Sequence, residues 1–92
     1  MHFVFYGKDK PDSLALRLDN RADHLVWLKE NPIPIAGPLL DAAGNPCGSM
    51  VICEAADQAA AMTLFASDPY ARVGLFASTE ILPWKWVVGT PQ

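Results

Sequence analysis

Apolar residues recur along this chain in two rhythms: four short, dense runs suited to strands and two longer segments spaced at helical intervals. His2 to Gly7 carries Phe3-Val4-Phe5-Tyr6, bulky β-favouring residues in succession, and predicts a strand buried on both faces. After a polar loop containing Pro11, Asp12 or Ser13 can cap a helix from about Leu14 to Glu30, which Asn31-Pro32 stops. Leu14, Leu18, Leu25 and Leu28, spaced four, seven and three apart, are its expected core stripe. Ile33-Pro34-Ile35-Ala36 opens a second strand, with Pro34 suited to a sheet edge, and Gly37-Pro38-Leu39-Leu40 continues it irregularly. The turn-rich stretch from Asp41 to Pro46 leads to a third strand, about Gly48 to Ala55, in which Met50-Val51-Ile52-Cys53 is apolar on both faces. A second helix is predicted from its N-cap Asp57 to Ser67, with Ala61, Leu64 and Phe65 on one face. The last strand is expected over about Thr79 to Val88, with Leu82, Trp84, Trp86 and Val88 on one face and Lys85 on the other.

The resulting order, β-α-β-β-α-β, predicts an α+β, ferredoxin-like fold in which two helices cover one face of a four-stranded antiparallel sheet. A chain of 92 residues corresponds to a single domain. Half of its residues are hydrophobic (51%) and only 18% are charged, more apolar surface than so small a core can hide. The uncovered face of strands one and three therefore predicts a homodimer packed sheet to sheet.

The net charge of −3 and the lack of a basic run argue against a nucleic-acid partner. The apolar runs are too short for a membrane span, and the N-terminal segment lacks a long apolar signal core, so a cytoplasmic location is expected. Cys47 and Cys53 do not form a C-x-x-C motif, and with only His2 and His24 beside them no metal site or cofactor is expected.

A few polar residues sit where the pattern does not ask for them. Arg17, Arg21, His24 and Leu28 follow spacings of four, three and four, a row beside the leucine stripe. Arg17 and Arg21 are expected in solvent, paired at little gain with Asp19 or Asp23. His24 falls at the border of core and solvent, where a histidine ordinarily bonds a backbone carbonyl. Asp68 continues the apolar stripe of the second helix yet precedes Pro69. It either closes that helix, at the dipole end that calls for a cation beside a carboxylate, or caps a further turn with proline at its first position.

Both helices lie on one side of the sheet, so His24 and Asp68 can meet. A carboxylate accepting from one imidazole nitrogen fixes the tautomer and frees the other as a general base or acid. Arg21 is the candidate for holding a substrate oxyanion or carboxylate. Ser49, after Gly48, offers a hydroxyl or serves only as a turn residue, and Tyr70 is a packing residue whose hydroxyl could line a pocket.

The segments Arg21-x-x-His24-Leu25, Ala36-Gly37-Pro38-Leu39, Gly48-Ser49, Ser67-Asp68-Pro69-Tyr70 and Gly74-Leu75, arriving in this order, resemble the YciI-like (YCII-related) family. The resemblance spans most of the chain and implies a dimeric α+β barrel. It also implies a pocket in which a His and an Asp act together, carried here onto His24 and Asp68, with Ser49 as a ligand contact. Relatives include a dehydrochlorinase acting on a chlorinated quinone-type ring, and the wider superfamily includes muconolactone isomerases. The expectation is therefore a cofactor-independent lyase or isomerase that moves protons on a small cyclic or carbonyl compound. The alternatives are a non-catalytic module that binds a small metabolite and a structural dimer whose His-Asp pair only supports the fold.

Overall fold

The computed structural model describes residues 1–90. Its elements are β1 (His2–Asp9), α1 (Leu14–Asp19), α2 (Arg21–Glu30), β2 (Ile35–Leu40), β3 (Pro46–Glu54), α3 (Gln58–Ala66), α4 (Pro69–Arg72) and β4 (Phe76–Trp84). The strands form one antiparallel sheet in the order β2-β3-β1-β4, with the helices between β1 and β2 and between β3 and β4. This is the ferredoxin-like α+β arrangement. Among the described residues no helix is long and apolar enough to cross a membrane.

Strand register decides which side chains meet the helices, because alternate residues face opposite sides. Phe3 stands opposite Cys53, Phe5 opposite Val51 and Ile81, and Gly7 opposite Ser49. Phe3, Phe5, Val51 and Cys53 pack with Trp27, Ala61 and Phe65 into the core. The other face carries Val4, Tyr6, Met50, Ile52 and Leu82. Ile52 is buried by its neighbours, whereas Tyr6, Met50 and Leu82 are exposed, so in one chain β1 is fully buried on one face only.

Three expectations need correction. The long helix over 14–30 is two helices broken at Asn20, whose side-chain amide donates to the Leu16 carbonyl (2.9 Å) while its own carbonyl accepts from His24 N (3.1 Å). Asparagine competes with the helix in this way because its side chain bonds nearby backbone. The leucine stripe is not core: Leu14, Leu18 and Leu25 are exposed and only Leu28 is half-buried, while Arg17, His24 and Trp27 point inward. The inward row is thus rotated onto the neighbouring polar residues. They can be buried because each has a partner.

The last strand also differs. It begins at Phe76 because β1 extends to Asp9, which pairs with Phe76 across a bulge. It ends at Trp84 because Trp84 pairs with His2, beyond which β1 offers no further partner. Trp86 instead lies edge-on to His2 (centroids 5.5 Å), and Val88 is exposed.

Candidate active site

The helix that the sequence ends at Ser67 restarts at once. Asp57 caps α3 by accepting from Ala60 N (2.8 Å), and Asp68 caps α4 by accepting from Tyr70 N (3.0 Å), with Pro69 in the first position. The same Oδ1 of Asp68 lies 2.7 Å from His24 Nδ1 on α2. Both readings of Asp68 hold together: it caps a turn and meets a group able to carry positive charge. An ionised carboxylate only accepts hydrogen bonds, so the proton of this contact belongs to Nδ1, and the contact does not engage Nε2.

Tyr70, brought inward by that capped turn, stacks on His24 with centroids 4.0 Å apart and planes 15° from parallel. Trp27 continues the column, 6.0 Å from His24, and its indole Nε1 donates to Ser67 Oγ (2.8 Å). The guanidinium carbon of Arg17 lies 4.6 Å from the Tyr70 ring centre. At a 4.0 Å stack the imidazole leaves no room on its own side of the ring, so Arg17 occupies the other. A cation over an aromatic face is stabilised by the ring quadrupole.

Arg17 is held from behind. Its Nε and Nη2 donate to the two carboxylate oxygens of Asp9 (2.7 and 2.8 Å), and Nη2 also donates to Ser49 Oγ (2.9 Å). Both side chains of the ion pair are almost wholly buried. Burial alone would lower the Arg17 pKa, but Asp9 outweighs it and the net shift is upward, so the guanidinium stays charged. Burial pushes the Tyr70 phenol above its ordinary range; Arg17 pulls against this and Asp68 adds to it.

These groups border a cavity of about 160 Å³ between the helix layer and the β2–β3 edge. Arg17, Arg21, His24, Ser49 and Tyr70 supply its polar side, with Asp68 behind His24. Leu18, Leu25 and Leu28 form an apolar wall facing Pro38 and Val51. Three of the four leucines expected to be core are therefore the lining of a hollow. A more open hollow of about 460 Å³ beside His2, Glu54 and Trp86 lacks such a convergence of buried polar groups.

The structure thus brings four sequence-selected residues, His24, Arg21, Ser49 and Tyr70, to one cavity, with Arg21 at its exposed rim and Asp68 one contact deeper. Arg17, expected in solvent, is buried, and Asp9, read as part of a loop, is its counter-ion. Arg17 lies seven residues before His24 on the row already marked in the sequence, so spacing could have found it. The bulge that carries Asp9 left no such trace. Among the described residues no three His, Cys, Asp or Glu side chains cluster as metal ligands.

This site belongs to a recognisable lineage. The family model for the YCII-related domain matches residues 1–85. Protein YciI of Escherichia coli O6:H1 is 34% identical over 97 residues, covering 95% of this chain and 99% of that protein. Among solved structures, 5-chloro-2-hydroxyhydroquinone dehydrochlorinase from Burkholderia phenoliruptrix AC1100, in complex with 2,5-dihydroxybenzoquinone, is 37% identical with a TM-score of 0.86, covering 92% of this chain and 94% of that one. An antibiotic biosynthesis monooxygenase at 15% identity and a TM-score of 0.58, covering 94% and 97%, shares the fold alone. With the family model matched over residues 1–85 and a relative matched almost end to end, the chain belongs to the YCII-related family.

Proposed function

We propose that this chain is a single-domain, cofactor-independent lyase or isomerase that transfers protons on a small cyclic or carbonyl compound. The observation that carries the proposal is the 2.7 Å contact of His24 Nδ1 with a buried carboxylate while the imidazole lines a cavity. A ring fixed in this way removes a proton through Nε2 and is stabilised as a cation by Asp68. The electron pair released from carbon moves onto the adjacent carbonyl oxygen, giving an enolate. Collapse of the enolate either expels a leaving group, as in a lyase, or takes the proton back from the imidazolium at another carbon, as in an isomerase.

The likeness to a dehydrochlorinase in complex with 2,5-dihydroxybenzoquinone supports a flat, oxygenated ring as the substrate type. Tyr70 and the leucine wall supply apolar surface for such a ring, and Arg21 at the rim supplies charge at the entrance. The exposed Tyr6, Met50 and Leu82 on the open sheet face support a homodimer formed through that face, for which Leu82→Glu in sedimentation analysis is the test.

The functional test combines binding and turnover with 2,5-dihydroxybenzoquinone and chlorinated hydroxyhydroquinones. His24→Ala and Asp68→Asn are expected to lower turnover by about 10²–10⁴-fold while the fold persists. Ligand binding without product at any pH would make the chain a binding module instead. A lowered melting temperature as the main effect of both substitutions would make the pair structural.

A further inference from the structure

Helix α2 meets the corner between α3 and α4 at two neighbouring points. On α2, His24 and Trp27 are three residues apart and share one face. Opposite them stand two consecutive residues, Ser67 closing α3 and Asp68 opening α4. His24 Nδ1 lies 2.7 Å from Asp68 Oδ1, and one turn further along Trp27 Nε1 donates to Ser67 Oγ at 2.8 Å. Ser67 gives its own hydrogen to the Leu64 carbonyl (2.6 Å), so its oxygen is turned to accept from the indole.

Packing does not require the second bond. Trp27 is buried against Phe65, with centroids 6.4 Å apart, and a ring without a polar atom would hide its apolar surface as well. Nor does α3 need a serine to end, because its backbone closes it: Ser67 N donates to the Leu64 carbonyl and Asp68 N to that of Phe65. What the bond adds is direction. With ten residues, and broken from α1 at Asn20, α2 is not steered by a longer helix. A contact at His24 alone leaves α2 free to roll about that point, and a second contact one turn away stops the roll. The indole also borders the imidazole, 6.0 Å away with planes 23° apart, while Tyr70 stacks on that ring at 4.0 Å.

We infer that Trp27 and Ser67 are positioning residues, whose indole–hydroxyl bond sets the roll of α2 and thereby holds the His24 imidazole on the Asp68 carboxylate. Neither residue lines the cavity, so each reaches a ligand only through His24. The consequence for turnover rests on the proposed proton transfer, whereas the effect on the imidazole contact stands apart from it. Catalytic groups need placing to within about 0.5 Å, and supporting side chains supply that placement.

The test follows the Nδ1 proton of His24 by proton NMR of the full chain, alongside turnover of 5-chloro-2-hydroxyhydroquinone. In the wild-type protein the proton is expected as a resonance protected from exchange with water, assigned by its loss in His24→Ala. Ser67→Ala and Trp27→Phe each remove one side of the bond and should speed that exchange by about tenfold. Ser67→Thr keeps the hydroxyl and should stay within about threefold of wild type. Ile81→Val, a core truncation of similar small cost to stability, should leave the exchange unchanged and so separates positioning from general loosening. In turnover, Ser67→Ala and Trp27→Phe should lower kcat by about tenfold or more with KM nearly constant, and Ser67→Thr should restore it. A wild-type Nδ1 proton without protection, exchange within about threefold of wild type in either Ser67→Ala or Trp27→Phe, or equal acceleration in Ile81→Val would overturn the inference. If exchange responds as expected but the wild-type protein forms no product, the proton-transfer reading fails while the positioning role stands.

Discussion

The helix-facing side of the sheet has two ends built on opposite principles. At one end Phe3, Phe5, Val51, Cys53, Ala61 and Phe65 form dry hydrocarbon, with the Phe5 and Phe65 rings 4.9 Å apart. At the other, a few residues along the same strands, Gly7 and Ser49 replace the large side chains, and Arg17, Tyr70, His24 and Asp68 fill the space beside a cavity. The first end gains free energy from every apolar atom it hides. The second hides charges whose desolvation roughly offsets their attraction, so it holds together only while each partner is present. Burial is similar at both ends, but its cause is not. The hydrocarbon end stabilises the sheet and helices, and the polar end holds side chains in a fixed arrangement.

Substitutions can separate the two ends. Arg17→Met leaves the Asp9 carboxylate buried without a partner and should destabilise the protein by about 3–5 kcal/mol in urea unfolding. Adding Asp9→Asn should return a large part of that loss. No recovery would mean that Arg17 acts mainly through packing. Phe65→Ala should also cost about 3–5 kcal/mol, with no single second substitution able to restore it, and the folded fraction should keep its affinity for 2,5-dihydroxybenzoquinone. Equal loss of affinity in that variant would show that the two ends are not separable.

A smaller effect, about 1 kcal/mol, is expected from Ser67→Ala, which removes the acceptor of the Trp27 indole where the two ends meet. The smallest concerns alkaline pH. In the unfolded chain the Tyr70 phenol ionises near pH 10, whereas burial keeps its proton on to higher pH in the folded state. The folded protein then binds more protons than the unfolded one, so stability falls as pH rises above about 10. Tyr70→Phe should remove that part of the slope. Burial raises the Cys53 thiol in the same sense, so its contribution should set in lower, above about pH 8.5, and mark the hydrocarbon end.

The hydrocarbon end was legible in the sequence because strand alternation and β-favouring residues report directly on burial. Phe3, Phe5, Val51 and Cys53 all lie in runs read as strands. The approach of His24 to Asp68 was open to expectation because both helices lie on one side of the sheet, and the family resemblance implied the pair. The leucine stripe misled because periodicity marks side chains that favour burial, and Leu18 and Leu25 line a hollow instead of filling one. Spacing put Arg17 on one row with His24, but its partners were not legible, because Asp9 lies beyond a bulge and Ser49 is 32 residues away. The break at Asn20 depends on one side chain competing with the backbone, which sequence periodicity averages over.

Asp68 Oδ1 is held both by the backbone amide of Tyr70 and by the imidazole of His24. A carboxylate anchored to the main chain keeps its direction whether or not a guest molecule is present. The imidazole is therefore aimed in advance, and rapid mixing with ligand should follow a single exponential, without a slower rearrangement phase trailing the encounter.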